Sequence, residues 1–335
     1  DGITIEVKGQ KVTFFGSVLL LLSDTLAAHE IGGFKVGVGF AHRICRVCFA
    51  TKDEIQSKNY DHQCNLLESD YNQQDSVHYG INYCSELNKI SGFHVANSQL
   101  PQDIMHILFE GVLPSQIKLL LHNIIYDRKL FSLPFLNQRI QHFIYGYPET
   151  RKKPSKNIED KHIRGDSKLP FSASQMWFFA TVLPLLIGDA VPYEDEHWRC
   201  YLLLLEITKY STARVVSSSS AEYLELLVMR HHELFRICYP QKPITPKMHY
   251  MVHFPTLLLK YVTQVRDNYL NTFRLGPLIS CWCMRMEAKN SYFKRISQIG
   301  NFKNLSLSVA TRHQKLMCSY LHGPVFDFWE LESGP

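Results

Sequence analysis

No uninterrupted apolar run in the 335 residues approaches the roughly 20 needed to cross a bilayer, so no membrane partner is expected. A leader of charged, apolar and small-residue segments is also lacking, and the nine cysteines are odd in number. Both argue against a disulfide-stapled secreted domain and for a reducing compartment with free or metal-bound thiols. Charge of one sign is scarce: 36 Lys and Arg against 31 Asp and Glu leave a formal +5, which suits nucleic-acid binding without requiring it. The glycines of "IGGFKVGVGF", Gly32, Gly33, Gly37 and Gly39, have neither the spacing of a phosphate-binding loop nor its Lys-Ser/Thr ending, and no nucleotide site is expected there. No internal repeat is present.

What is there is enough apolar material for a large core, at 45% hydrophobic and 12% aromatic residues, in one elaborated domain or two. Ile3 to Val7 alternates as a strand, Gly9 and Gln10 can turn the chain, and Val12 to Leu22 reads as a longer, buried strand ending at Asp24. A polar, weakly periodic region from Thr51 to Asn97 precedes a succession of helical patterns. These cover Asp103 to His122, Ser172 to Ile187, His197 to Lys209, Ala221 to Cys238 and Pro246 to Lys260. Arg151 to Lys168 is polar and basic and reads as an exposed loop, with a nucleic-acid contact as its sharper alternative.

Four places can carry chemistry. Cys45 and Cys48, in "CRVC", have the separation that lets two thiolates meet one zinc from a tight turn, while "TPKMHYMVHF" offers Thr245 as cap, Pro246 at the first helical position, and His249 and His253 one turn apart on one face. Two such halves can complete a Cys2His2 tetrahedron; the plain alternative is buried thiols in one place and core histidines in another. Asp24, beyond an apolar strand, is either a metal-binding acid at a sheet's carboxyl edge or the cap of a helix at "DTLAAHE". Asp103 and His106 lie near a helix start, where a cap and a buried hydrogen bond are the expected uses. Last, "WCMRMEAKNSYFKR" puts Trp282, Met286 and Phe293 on one helical stripe, expected to be buried. Glu287 shares another face with Lys294, among Arg285, Lys289 and Arg295: an ordinary surface helix, or a metal-binding acid beside a phosphate-binding surface.

In order, "LLLLSD", "CRVCFAT", "PQDIMHILFEGVLPSQIKLLL", "KMHYMVH" and "CWCMRMEAKNSYFKR" resemble the transposases of CACTA (En/Spm-like) DNA transposons and their animal relatives, over nearly the whole chain. More distantly, the same order is similar to the core of the V(D)J recombination-activating recombinase. The resemblance implies an α/β, RNase H-like (DDE transposase) core, N-terminally incomplete, with a large mainly helical insertion braced by zinc. Residues 1–44 would be a partial RNase H-like sheet, 45–255 the insertion, 256–323 the return to the core with the glutamate helix, and 324–335 a tail. Asp24 and Glu287 would be the second and third acids of the triad, expected to bind Mg2+ or Mn2+. Cys45, Cys48, His249 and His253 would hold a structural Zn2+, Asp103 and His106 would support the site, and Arg285, Lys289, Lys294 and Arg295 would face DNA phosphates. DNA is the implied partner, a homo-oligomer is allowed, and the implied location is nuclear.

Departures from that pattern shape the expected activity. A first acid on an earlier strand is absent, since Asp1 lies too close to Asp24 for the intervening hairpin, and residues 261–274 look like an insertion. The expected function is therefore a transposase-derived domain for metal-dependent DNA cleavage and strand transfer, inactive as this fragment. The alternative is a domesticated or decayed DNA- or protein-binding module.

Overall fold

Ser132, Ser172, Asp195, Ser217 and Thr245 each accept the backbone N–H three residues on, and each opens a helix. A side-chain oxygen there satisfies one of the orphan donors of the first turn. The helices so started are α3 (Leu133–His142), α5 (Ala173–Ile187), α6 (Glu196–Ser211), α7 (Ser218–Cys238) and α8 (Pro246–Met251), joined by α1 (Thr25–Ile31), α2 (Leu113–His122), the single turn α4 (Asp160–Ile163), α9 (Phe254–Val262), α10 (Met284–Gln298) and α11 (Leu305–His322). The computed structural model describes residues 2–16, 18, 20–37, 41–63, 71, 75–96, 99–262, 277–298 and 304–322. It is mostly helical, with one small sheet.

That sheet is a hairpin of β1 (Ile3–Val7) and β2 (Gln10–Phe14), antiparallel with Ile3 opposite Phe14 and Val7 opposite Gln10. Lys8 and Gly9 both take positive φ, as a two-residue turn between twisted strands requires. Every strand residue is exposed. The expected strand from Val12 to Leu22 is therefore corrected: β2 ends at Phe14, and the described residues from 15 to 24 form no strand. An apolar run becomes a buried strand only with neighbours along its edges, and among the described residues Leu21 makes one backbone bond, to Gln99 O at 2.9 Å. Asp24 ends no strand either; its Oδ1 accepts Ala27 N at 2.8 Å and caps α1.

The weakly periodic region after Thr51 folds around a small core of Ala28, Phe34, Phe49, Tyr71, Ile81, Phe93, Val95 and Leu100. Gly33 makes this core close: its φ is +73°, and a Cβ there would collide with the Tyr83 carbonyl.

The larger core is built by helices. The expected helix at Asp103 runs as wide π-helical turns over Met105–Val112, regular α2, then wide turns again over Asn123–Asp127. It packs on α5, α6 and α8, while α7 packs on α6 and α9. Residues 173–190 are long and apolar enough to cross a membrane by length and composition, but Phe179, Ala180, Leu183, Leu186 and Ile187 are buried among these helices. The basic stretch from Arg151 to Lys168 is mostly exposed, as expected, but it contains α4 and is tied to the neighbouring helices. Ile158, His162 and Ile163 are buried, Asn137 brackets the Ile158 backbone with two hydrogen bonds, and Lys118 Nζ donates to the carbonyls of Gly165 and Ser167.

Asp1–Cys283 forms one compact unit and Met284–Pro335 another. In the second, α10 packs on α11, with the Phe293 and His313 rings 5.4 Å apart. The expected apolar stripe does not share one buried face. Trp282 precedes α10 and is buried in the first unit against Phe109 and Trp177, Phe293 is half-buried against His313, and Met286 is exposed.

Candidate metal centre

The CxxC segment is shaped before any metal enters the argument. An antiparallel bridge between Arg43 and Thr51 closes the loop, and the Val47 amide donates to Cys45 Sγ at 3.4 Å, turning the chain tightly round the first sulfur. Two ties bring the histidine helix to this loop. Tyr250 Oη donates to the Ile44 carbonyl at 2.8 Å, and Gln56 pairs with both backbone groups of Ile244, at 2.8 and 3.2 Å, just ahead of the Thr245 cap.

The helix expected to be continuous from Pro246 to Lys260 is broken at Val252–His253 between α8 and α9. There Val252 N and His253 N bond to His249 O and Tyr250 O, three residues back, so the turn tightens. His249 and His253 still face the same place. Their rings are 5.0 Å apart and nearly perpendicular, at 88°.

Cys45 Sγ lies 3.4 Å from His253 Nε2 and Cys48 Sγ 3.2 Å from His249 Nε2, across 208 and 201 residues of sequence. All four ligand atoms fall within 4.8 Å of one another, and all four residues are buried. Tetrahedral zinc with Zn–S of about 2.3 Å and Zn–N of about 2.05 Å sets an S···N edge of about 3.5 Å. The cluster is thus able to hold a metal such as zinc, with two soft and two borderline donors and no open position.

Electrostatics agree with the geometry. Burial alone would raise the Cys45 thiol, yet hydrogen bonding with Cys48 and the neighbouring His253 and His249 hold it well below its ordinary range. Burial alone would lower His253, but the Cys45 thiolate and the Asp61 carboxylate, 2.6 Å from Nδ1, raise it to about 10. The pocket favours thiolate, the form that binds metal.

Beside this centre Asp103, His106 and Cys283 form a second group of close ligand atoms. Its carboxylate is already saturated. Asp103 Oδ1 accepts Met105 N at 3.3 Å and Cys283 N at 2.8 Å, while Oδ2 accepts His106 N at 3.1 Å and meets His106 Nδ1 at 2.5 Å. Asp103 works as cap and clasp, the structural use expected from its place near a helix start. Arg46, inside the CxxC, is buried between the two clusters and donates to Pro101 O at 2.7 Å.

Asp24 is half-buried as the cap of α1 in the first unit, and Glu287 is exposed on α10 in the second. Arg285, Lys294 and Arg295 are exposed on the same helix, and Lys289 lies over the Tyr292 and Phe293 rings at 5.8 and 5.9 Å. Sequence reasoning missed Asp61, Arg46 and Cys283 as partners of these sites; only Cys283, in "CWC", carries any signal in the residue pattern. No protein-family model matches the chain, and no curated protein or solved structure is significantly similar to it.

Proposed function

We propose that the chain is a transposase-derived domain that engages DNA, with a structural Zn2+ at Cys45, Cys48, His249 and His253. One observation carries the reading: a CxxC and an HxxxH about two hundred residues apart meet in one buried set of four ligands, the pairing that the resemblance to CACTA transposases implies. In this reading the β1–β2 hairpin belongs to an RNase H-like core, and Asp24 and Glu287 are its carboxylates for Mg2+ or Mn2+. Such ions supply activation of a water or 3′-hydroxyl and stabilisation of the leaving oxygen at a phosphodiester. The chain's own part is to hold the acids and the phosphate backbone. Residues 284–322 carry seven bases, Arg285, Lys289, Lys294, Arg295, Lys303, Arg312 and Lys315, against Glu287 alone, a formal +6 where the whole chain has +5. Charge so concentrated fits a polyanion. In this reading the protein acts in the nucleus, and a homo-oligomer is allowed.

A second reading is favoured by Asp24, whose carboxylate is engaged in capping α1. Here the chain is a DNA- or protein-binding module without chemistry. Metal-dependent nicking of a labelled duplex by the chain alone and by a form extended with an upstream strand that bears an acid, with E287Q as control, separates the two. Nicking that appears only in the extended form and is lost in E287Q supports the strand-transfer reading; DNA binding with no nicking by either form supports the module; no DNA binding by either form sinks both DNA readings.

A further inference from the structure

The two imidazoles of the metal centre are not equivalent. His253 Nδ1 faces the Asp61 carboxylate at 2.6 Å, whereas His249 Nδ1 has no hydrogen-bond partner among the described residues. We propose that Asp61 is a positioning residue of the metal centre, which accepts the Nδ1–H of His253 and so turns its Nε2 lone pair toward the thiolates. The inference rests on the reading of the cluster as a zinc site.

A neutral imidazole offers one donor and one acceptor nitrogen, and only the acceptor can bind metal. A carboxylate on Nδ1 selects the tautomer, fixes the ring plane and makes Nε2 more basic; such partners change metal affinity by about 10- to 100-fold. The geometry meets each requirement. Asp61 is 12% exposed and His253 1%, so the pair is shielded from water, and Nε2 on the far side of the ring points at Cys45 Sγ, 3.4 Å away. Thr256 also bonds to the Asp61 carboxylate and restrains its orientation.

Asp61 is itself held from behind. It opens the one-turn helix Asp61–Gln63, and its neighbours bind α7: Arg236 Nη2 donates to Asn59 Oδ1 at 2.8 Å, Tyr60 Oη meets Met229 Sδ, and His62 Nδ1 lies 3.7 Å from Glu225 Oε1. The carboxylate therefore reaches the metal centre from a segment that α7 anchors. Its role is separable from that anchoring, because Asn59→Ala weakens the tie to α7 and leaves the Asp61–His253 bond.

The test is zinc affinity of the full chain by competition with a chromophoric chelator, together with the visible spectrum of the Co2+ form. Asp61→Ala is expected to weaken zinc by about 10- to 100-fold and to shift the cobalt bands. Asp61→Asn, whose amide oxygen still accepts a hydrogen bond, is expected to lose less, and Asn59→Ala to bind as the parent does. Parent-like affinity and spectrum in Asp61→Ala would overturn the positioning role while leaving the site intact. Equal losses in Asp61→Ala and Asn59→Ala would overturn it too, by showing that docking on α7 is what matters. A parent chain that binds no zinc overturns the underlying reading instead. Should Asp61→Ala fail to fold, Asp61→Leu, close to Asp in shape and unable to accept the Nδ1–H, takes its place, and parent affinity and spectrum in that variant contradict the proposal.

Discussion

Asp103 accepts the backbone N–H of Cys283 at 2.8 Å, joining positions 180 residues apart. The same carboxylate holds the Met105 and His106 amides, so one buried side chain fixes the start of the wide helical turns and the last residue of the first unit. Hydrogen bonds to a charged acceptor contribute roughly 1.5–3 kcal/mol each, not additively, and their loss leaves buried donors unpaired. Asp103→Ala is expected to lower unfolding stability by roughly 3 kcal/mol or more in denaturant titrations and to speed amide exchange at Cys283. Parent-like exchange there would show that the clasp carries little.

Two buried histidines make the fold acid-labile. Burial lowers His29 to about 4, helped by the Arg46 charge, and His231 to about 3, from 6.5 in the unfolded chain. Above 6.5 both states are neutral at these positions and the stability is fully present. As pH falls below 6.5 the unfolded chain takes up protons first, so stability is lost until the folded forms protonate near 4 and 3. Each group contributes a slope of roughly 1.4 kcal/mol per pH unit in that window. His231 Nε2 bonds Gln116 Oε1 at 2.7 Å, and His231→Gln can keep a donor there without titrating. Urea titrations from pH 7.5 to 5 are expected to show a shallower loss in His231→Gln than in the parent; superimposable pH profiles would remove the assignment.

DNA binding, where it occurs, is expected to track the charge of α10 and α11. Affinity for a short duplex measured by fluorescence anisotropy should fall steeply with salt, with a slope of about 0.9 per phosphate contact in a double-logarithmic plot. Lys289→Ala, Lys294→Ala and Arg295→Ala together should reduce that slope by about 2 to 3. An unchanged slope would move the contact surface elsewhere on the chain.

Gly33 tests the small core. An alanine there pays twice, in left-handed backbone and in collision with the Tyr83 carbonyl. Gly33→Ala is expected to destabilise by roughly 2 kcal/mol or more, read as a drop in thermal midpoint, whereas Gly9→Ala, with open space around its Cβ, should lose only the backbone part.

The sequence exposes what is written locally. Ser172, Ser217 and Thr245-Pro246 announce helix starts because capping is a matter of a few adjacent residues. Ser132-Leu133-Pro134 is punctuated in the same way and opens α3, which the periodicity reading passed over. The Cys and His pairs were legible as halves, each through its own short spacing. The break at Val252–His253 was not, because the partners that His253 meets there, Asp61 and Cys45, are remote in sequence. Asp61 itself sits in a polar stretch with no spacing to mark it. The run before Asp24 shows the opposite error: a run of apolar residues does not by itself say that strands lie on either side of it.

The central claim is that Cys45, Cys48, His249 and His253 form one zinc site that braces the fold. Metal content by mass spectrometry and zinc-edge X-ray absorption on the purified chain test it most directly. The account predicts one zinc per chain with two sulfur ligands near 2.3 Å and two nitrogen ligands near 2.0–2.1 Å, lost in Cys45→Ser together with a lowered unfolding midpoint. A chain free of zinc, or zinc surrounded by oxygen and retained in Cys45→Ser, would contradict it.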